Sequence, residues 1–168
     1  MNYFELYEIP IGFSPNQEVI KQKFYALSKK YHPDFYINES PEKQDEVLEL
    51  STLNNKAFQV LKDGQKRLHY ILELKGQLVE GENYNLPQSF LMEMMDINEA
   101  LMELDVDMVV LTNQISHIES SLSSDLKALT SSFDNVDGVE QENTLKAIKD
   151  IYYRNKYLHR IKENLSRF

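Results

Sequence analysis

Apolar residues recur at spacings of three and four along nearly all of this 168-residue chain, the repeat of an α-helix and not of a strand. Ile20, Phe24, Leu27 and Tyr31 form one stripe, and Val47, Leu50, Ala57, Phe58 and Leu61 a second. Phe90, Met94, Ile97, Leu101 and Leu104 make a third. Leu111, Ile115, Ile118, Leu122, Leu126, Leu129 and Phe133 give a fourth, and Ile148, Ile151, Leu158, Ile161, Leu165 and Phe168 a fifth. With only five Gly and five Pro, and no hairpin signal, the expected fold class is all-α.

Charge and composition narrow the function. The net charge of −9 disfavours a role built on nucleic-acid phosphates or anionic membranes. No apolar run approaches the roughly 18 residues that span a bilayer, and the start, MNYFELYEIP, lacks the layout of a signal peptide. A soluble, cytoplasmic protein is expected. Without cysteine the chain can form no disulfide and offer no thiolate to zinc or an iron–sulfur cluster. No metal or cofactor is expected.

Ser14-Pro15 predicts a helix start, and a helix should run from about Pro15 to Tyr31. Lys21, Lys23, Lys29 and Lys30 against the single Glu18 leave it locally basic. Pro33 must stop it, so His32-Pro33-Asp34 is expected in a rigid, exposed loop. A second helix should run from Pro41, capped by Ser40, through Asp63, and end at Gly64. A short helical segment, Lys66 to Leu74, should close at Gly76.

In this order, Tyr3-Phe4-Glu5-Leu6, the basic helix ending Lys30-Tyr31-His32-Pro33-Asp34, Asn55-Lys56-Ala57-Phe58-Gln59-Val60-Leu61 and Arg67-x-x-Tyr70 resemble the landmarks of a J domain over residues 1–75. The resemblance implies an antiparallel helical hairpin with flanking short helices. It further implies that His32, Pro33 and Asp34 engage an HscA/DnaK-class ATPase chaperone, while Lys21, Tyr25, Lys29 and Lys30 dock on its acidic surface. In such a contact Pro33 would set the loop's shape, Asp34 could pair with an arginine, and His32 could hydrogen-bond through either ring nitrogen. Tyr25-Ala26 stands where many J domains carry basic residues, which implies a leaner docking face. The residues alone allow plainer roles: a solvated lysine face, a helix-ending turn, and Tyr31 in the core.

The stretch from Gly76 to Asn85 breaks the periodicity, so a linker is expected over residues 76–86, followed by a domain over residues 87–168. Its first helix should run from Ser89 to about Asp105. Opposite the core stripe, Met92, Met95, Asp96, Glu99 and Glu103 cluster on a second face. A face mixing methionine with acids suits an adaptable partner contact, or else a further buried one against the linker or the first domain. The three remaining stripes imply an antiparallel three-helix bundle.

A J domain, a short linker and this bundle, with Phe90-Leu91-Met92-Glu93 early and Tyr153-Arg154-Asn155-Lys156 late, resemble the HscB family of iron–sulfur co-chaperones over the whole chain. The resemblance implies that Leu91, Met92, Met95, Asp96, Glu99, Glu103 and Tyr153 bind the scaffold protein IscU. Met95 stands where leucine is common and Asp96 where glutamate is. The function implied is stimulation of the chaperone's ATPase and delivery of IscU to it; the alternative is a J protein with another client. An enzyme built on His32 and Asp34 would lack an activated nucleophile, a phosphate loop and a metal cluster, so no catalytic residue is expected.

Overall fold

Every regular element in residues 1–167, the part of the chain that the computed structural model describes, is helical. The chain falls into two units, Met1–Lys75 and Gly76–Phe168. The first contains α1 (Tyr3–Leu6), α2 (Gln17–Lys30), a 3₁₀ turn (Pro33–Tyr36), α3 (Pro41–Leu61) and α4 (Gly64–Leu74). The second contains α5 (Gln88–Leu101), α6 (Met108–Phe133) and α7 (Gly138–Leu165). Phe168, placed on the last stripe, lies outside the described residues.

Hydrogen bonds set the helix ends, and several differ from expectation. Asn16, not Ser14, caps α2: its side-chain oxygen accepts from the N–H groups of Glu18 and Val19 at 2.9 and 3.3 Å, so Pro15 stays outside the helix. Ser40 does cap α3, accepting from Lys43 N at 3.2 Å with Pro41 as the first helical residue. That helix stops at Leu61 instead of Asp63, and Gly64 opens α4 instead of closing α3. The cause is Asp63, whose carboxylate accepts from Gln65 N and Lys66 N, both at 2.9 Å, and must therefore stand outside the helix it caps. Those N–H groups also hold its pKa below the usual carboxylate value.

In the first unit α2 and α3 pack as a hairpin around Phe4, Tyr7, Ile20, Val47, Ala57, Leu61, Ile71 and Leu72, all essentially inaccessible to solvent. Phe24 and Phe58 stack across the hairpin with ring centroids 4.1 Å apart. Asn54 on α3 is the one buried polar side chain among the described residues. Its Oδ1 accepts from the Tyr7 hydroxyl at 2.8 Å, and its Nδ2 donates to the Phe24 carbonyl and Ser28 Oγ at 3.1 and 3.0 Å. One amide thus joins the chain after α1, the middle of α2 and α3. Burial pushes the Tyr7 phenol well above its ordinary pKa, so it stays a donor. Arg67 closes the unit, donating to the carbonyls of Phe13 at 2.9 Å and Leu61 at 2.6 Å.

In the second unit α6 and α7 pack along their lengths, and α5 lies on α7. Phe90, Met94, Ile97 and Leu101 are buried as the stripe requires, together with Leu111, Ile115, Ile118, Leu122, Ile151, Leu158 and Ile161. Leu104 is not in the core. It is fully exposed because α5 ends at Leu101, and the helical wheel does not extend into the turn that follows. Glu103, read as a helical position on the opposite face, lies beyond that end for the same reason.

Asn54→Ala is expected to destabilise the first unit by about 1–3 kcal/mol, the range for leaving buried polar groups without partners. Tyr7→Phe should cost less in the Asn54→Ala background than in the wild type. Amide exchange in α2 and α3 measures both, and equal costs in the two backgrounds would show that the side chains do not act as one network.

Candidate functional site

Two exposed surfaces gather the residues singled out above. The first is the corner between α2 and α3. The corner expected as a rigid, exposed loop holds a 3₁₀ turn, with Pro33 as its first residue because its fixed φ suits an N-terminal helical position. His32 caps that turn: its Nδ1 accepts from Asp34 N at 3.2 Å. A neutral ring accepting through Nδ1 carries its proton on Nε2, which leaves a hydrogen-bond donor for another molecule. The Asp34 carboxylate lies 3.7 Å from Nδ1 with its side chain 77% exposed. The Phe35 ring meets the imidazole edge-on at 5.8 Å. Tyr36 ties the turn to the helix before it, its hydroxyl donating to the Lys30 carbonyl at 2.8 Å. A donor and a carboxylate are therefore presented side by side on a braced turn.

Lys21, Tyr25, Lys29 and Lys30 all lie exposed on α2. Lys23 differs, since its ammonium meets Glu8 at 2.6 Å and holds that carboxyl below its ordinary pKa. The basic face that remains is carried by Lys21, Lys29 and Lys30. Tyr31 is half-buried, with the Lys30 ammonium 5.1 Å from its ring centroid.

The second surface is the outer side of α5. Met92 and Met95 are 58% and 56% exposed, Asp96 and Glu99 stand exposed beside them, and Leu91 is half-buried at the edge. Both methionines are thus solvent-facing on a helix anchored by its opposite stripe. Tyr153, on α7, is occupied differently: its ring stacks on Tyr84 at 4.5 Å and meets Tyr152 at 5.1 Å.

Tyr84 belongs to a strap that periodicity alone does not reveal. Its hydroxyl donates to Asp150 at 2.7 Å, Glu82 pairs with Lys149, and Arg154 bridges from Asp150 at 2.6 Å to the face of Phe90 at 5.2 Å. Burial and the neighbouring Asp150 push the Tyr84 phenol up to about 12, while Lys149 holds Glu82 below the usual glutamate value. The segment entering α5 is thereby fixed to α7. The signal lay in Tyr84 and Glu82, polar and aromatic residues within a stretch that otherwise looks like linker.

Tyr84→Phe should cost the second unit about 0.5–1.5 kcal/mol, and Tyr84→Ala, which also removes the stack, on the order of 2 kcal/mol. Faster amide exchange in the first turn of α5 is the readout, and no change would show that the strap does not hold it. Glu82 adds a pH dependence. Its folded pKa is depressed, so its contribution is complete above the ordinary glutamate value and disappears as the pH falls through the folded value. Acid should loosen the strap in the wild type, and Glu82→Gln should remove that component.

Among the described residues, no group of three His, Cys, Asp or Glu side chains is placed to hold a metal ion, and no helix is long and apolar enough to cross a membrane. Two family models match the chain. One, described as the DnaJ domain, covers residues 2–70; the other, described as the HSCB C-terminal oligomerisation domain, covers residues 86–166. A co-chaperone protein HscB homolog of Vibrio cholerae is 36% identical over 102 residues, which is 60% of this chain and 60% of that protein. The chain therefore covers less than two thirds of that relative's length. The iron-sulfur cluster co-chaperone protein HscB of Homo sapiens is 28% identical over 165 residues, covering 98% of this chain and 67% of that protein. The crystal structure of human co-chaperone protein HscB is similar in fold, with a TM-score of 0.71 at 24% identity, over 99% of this chain and 81% of that one.

Proposed function

The chain belongs to the HscB-type J-domain co-chaperones, and from that premise we propose that it stimulates the ATPase of an HscA/DnaK-class chaperone and brings to it an IscU-type iron–sulfur scaffold protein. The observation that carries the proposal is the pairing of two differently built, exposed surfaces on one chain: the His32-Pro33-Asp34 turn with its lysines, and the methionine and acid face of α5. The first suits an acidic partner bearing an arginine for Asp34. The second suits a client with an apolar patch, since methionine adapts to irregular surfaces and the acids beside it set orientation. In this reading the chain moves no bonds of its own. It recruits a client and triggers hydrolysis in its partner, acting in the cytoplasm. Contact with the chaperone falls to His32, Pro33, Asp34, Lys21, Tyr25, Lys29 and Lys30. Contact with the client falls to Leu91, Met92, Met95, Asp96, Glu99, Glu103 and Tyr153.

His32→Gln or Asp34→Asn is expected to abolish stimulation of the chaperone's ATPase without changing thermal unfolding, since both side chains are exposed. Normal stimulation by either variant would refute the first half of the proposal.

Met92→Ala and Met95→Ala should each weaken scaffold binding by about 1–3 kcal/mol, the loss expected of an anchor at an interface centre, with stability nearly unchanged. Binding titration and thermal unfolding of the same variants give the answer. Normal binding by both variants would mean that the J domain serves another client.

A further inference from the structure

We propose that the client surface does not end with α5 but continues over the turn into α6, where Met102 and Leu104 form a second apolar anchor within an acidic rim. The proposal rests on the reading of α5 as a client face and extends it to residues not counted there.

Along α5 the exposed positions Met92, Met95 and Glu99 step by three and four, and the next step reaches Met102. Met102 still has helical backbone angles, φ −86° and ψ −9°, so it stays in register with the stripe although the helix ends one residue earlier. It is 80% exposed, and Leu104 beside it is wholly exposed. With Leu101, Glu103, Val106 and Met108 they line a groove of about 380 Å³ at that end of the unit. Three of the chain's six methionines are thus exposed in sequence along one line, with an unpartnered leucine at its end. Isolated exposed apolar residues need no explanation; a row of them leading into a groove does.

Charge selects the occupant. From Gly76 to Leu126 the chain carries ten acidic residues and no lysine or arginine. Glu99, Glu103, Asp105 and Asp107 are all exposed around the groove. A symmetric pair of chains meeting here would place acid against acid, which opposes self-association through this surface. A partner with an apolar patch bordered by lysines or arginines satisfies both halves of the surface at once. The occupant is therefore the client seated on Met92 and Met95, which reaches past the end of α5 with a basic-rimmed apolar segment.

The test measures binding of the metal-free IscU-type scaffold protein to the full-length chain by titration calorimetry. Met102→Ser combined with Leu104→Ser is expected to weaken binding at least about fivefold with unchanged thermal unfolding, as both side chains are exposed. Asp105→Lys should weaken it about two- to threefold at low salt, and the effect should fade as salt is added. Val139→Ser is the control, because Val139 is 76% exposed at the start of α7, past the far end of the 26-residue α6. Its binding should match the wild type, and equal weakening by it would overturn the assignment. If Met92→Ala and Met95→Ala weaken binding and the Met102/Leu104 pair does not, the client surface stops at α5 and the inference is wrong while the client reading stands. If none of the four affects binding, the client reading fails and this inference with it. Sedimentation provides the last arm: an oligomer that the Met102/Leu104 variant converts to monomer would identify a self-interface and overturn the proposal.

Discussion

A single buried amide holds the hairpin that presents the His32-Pro33-Asp34 turn. Asn54 is all but inaccessible to solvent, so its hydrogen bonds must be met from within, and they come from Tyr7 after α1 and from Phe24 and Ser28 on α2. An apolar contact in that place would tolerate sliding of α2 against α3. The amide does not, because a shift by even part of a turn would leave Tyr7 and Asn54 without partners in a dry core. The corner between the helices inherits that registration. Pro33 then removes one more freedom, and the Tyr36 hydroxyl clamps the turn to Lys30. The exposed groups of His32 and Asp34 are placed by buried chemistry some distance away.

Much of this was legible in the residues and some was not, for identifiable reasons. Stripes such as Phe90, Met94, Ile97 and Leu101 announce themselves because burial imposes a period, and all four are buried. Periodicity cannot say where a helix stops, and so it carries Leu104 and Glu103 onto a helix that ends at Leu101. Helix ends depend on which side chain captures free N–H groups. Asn16 and Ser14 both qualify by type, as do Asp63 and Gly64 as terminators, and only geometry separates them. Asn54 and the Glu82–Tyr84 strap are not legible in the sequence because single polar residues carry no pattern. The candidate surfaces were visible as residue types, the methionines of α5 above all. Their exposure, and the pairing of Lys23 with Glu8, needed the fold.

The two surfaces are built on different physical principles. On α2 the free lysines offer point charges on flexible stems, which guide an encounter and fade with salt. On α5 polarizable thioethers stand among carboxylates, a surface that attracts mostly through shape and desolvation, with charge adding selectivity. The two surfaces therefore suit different kinds of ligand.

The packing of α5 on α7 has a consequence for the order in which the chain is made. The residues that seat Phe90 include Arg154 and Tyr157, more than sixty positions later. During synthesis α5 emerges long before α7 exists, and its four core residues have nowhere to go. Met92 and Met95 are exposed on the other side among Glu93, Asp96 and Glu99, so the nascent helix carries apolar residues on two faces. The first unit, complete by Lys75, can fold at once; α5 must wait for nearly all of the remaining chain. For that interval α5 is itself the kind of segment that a chaperone would hold.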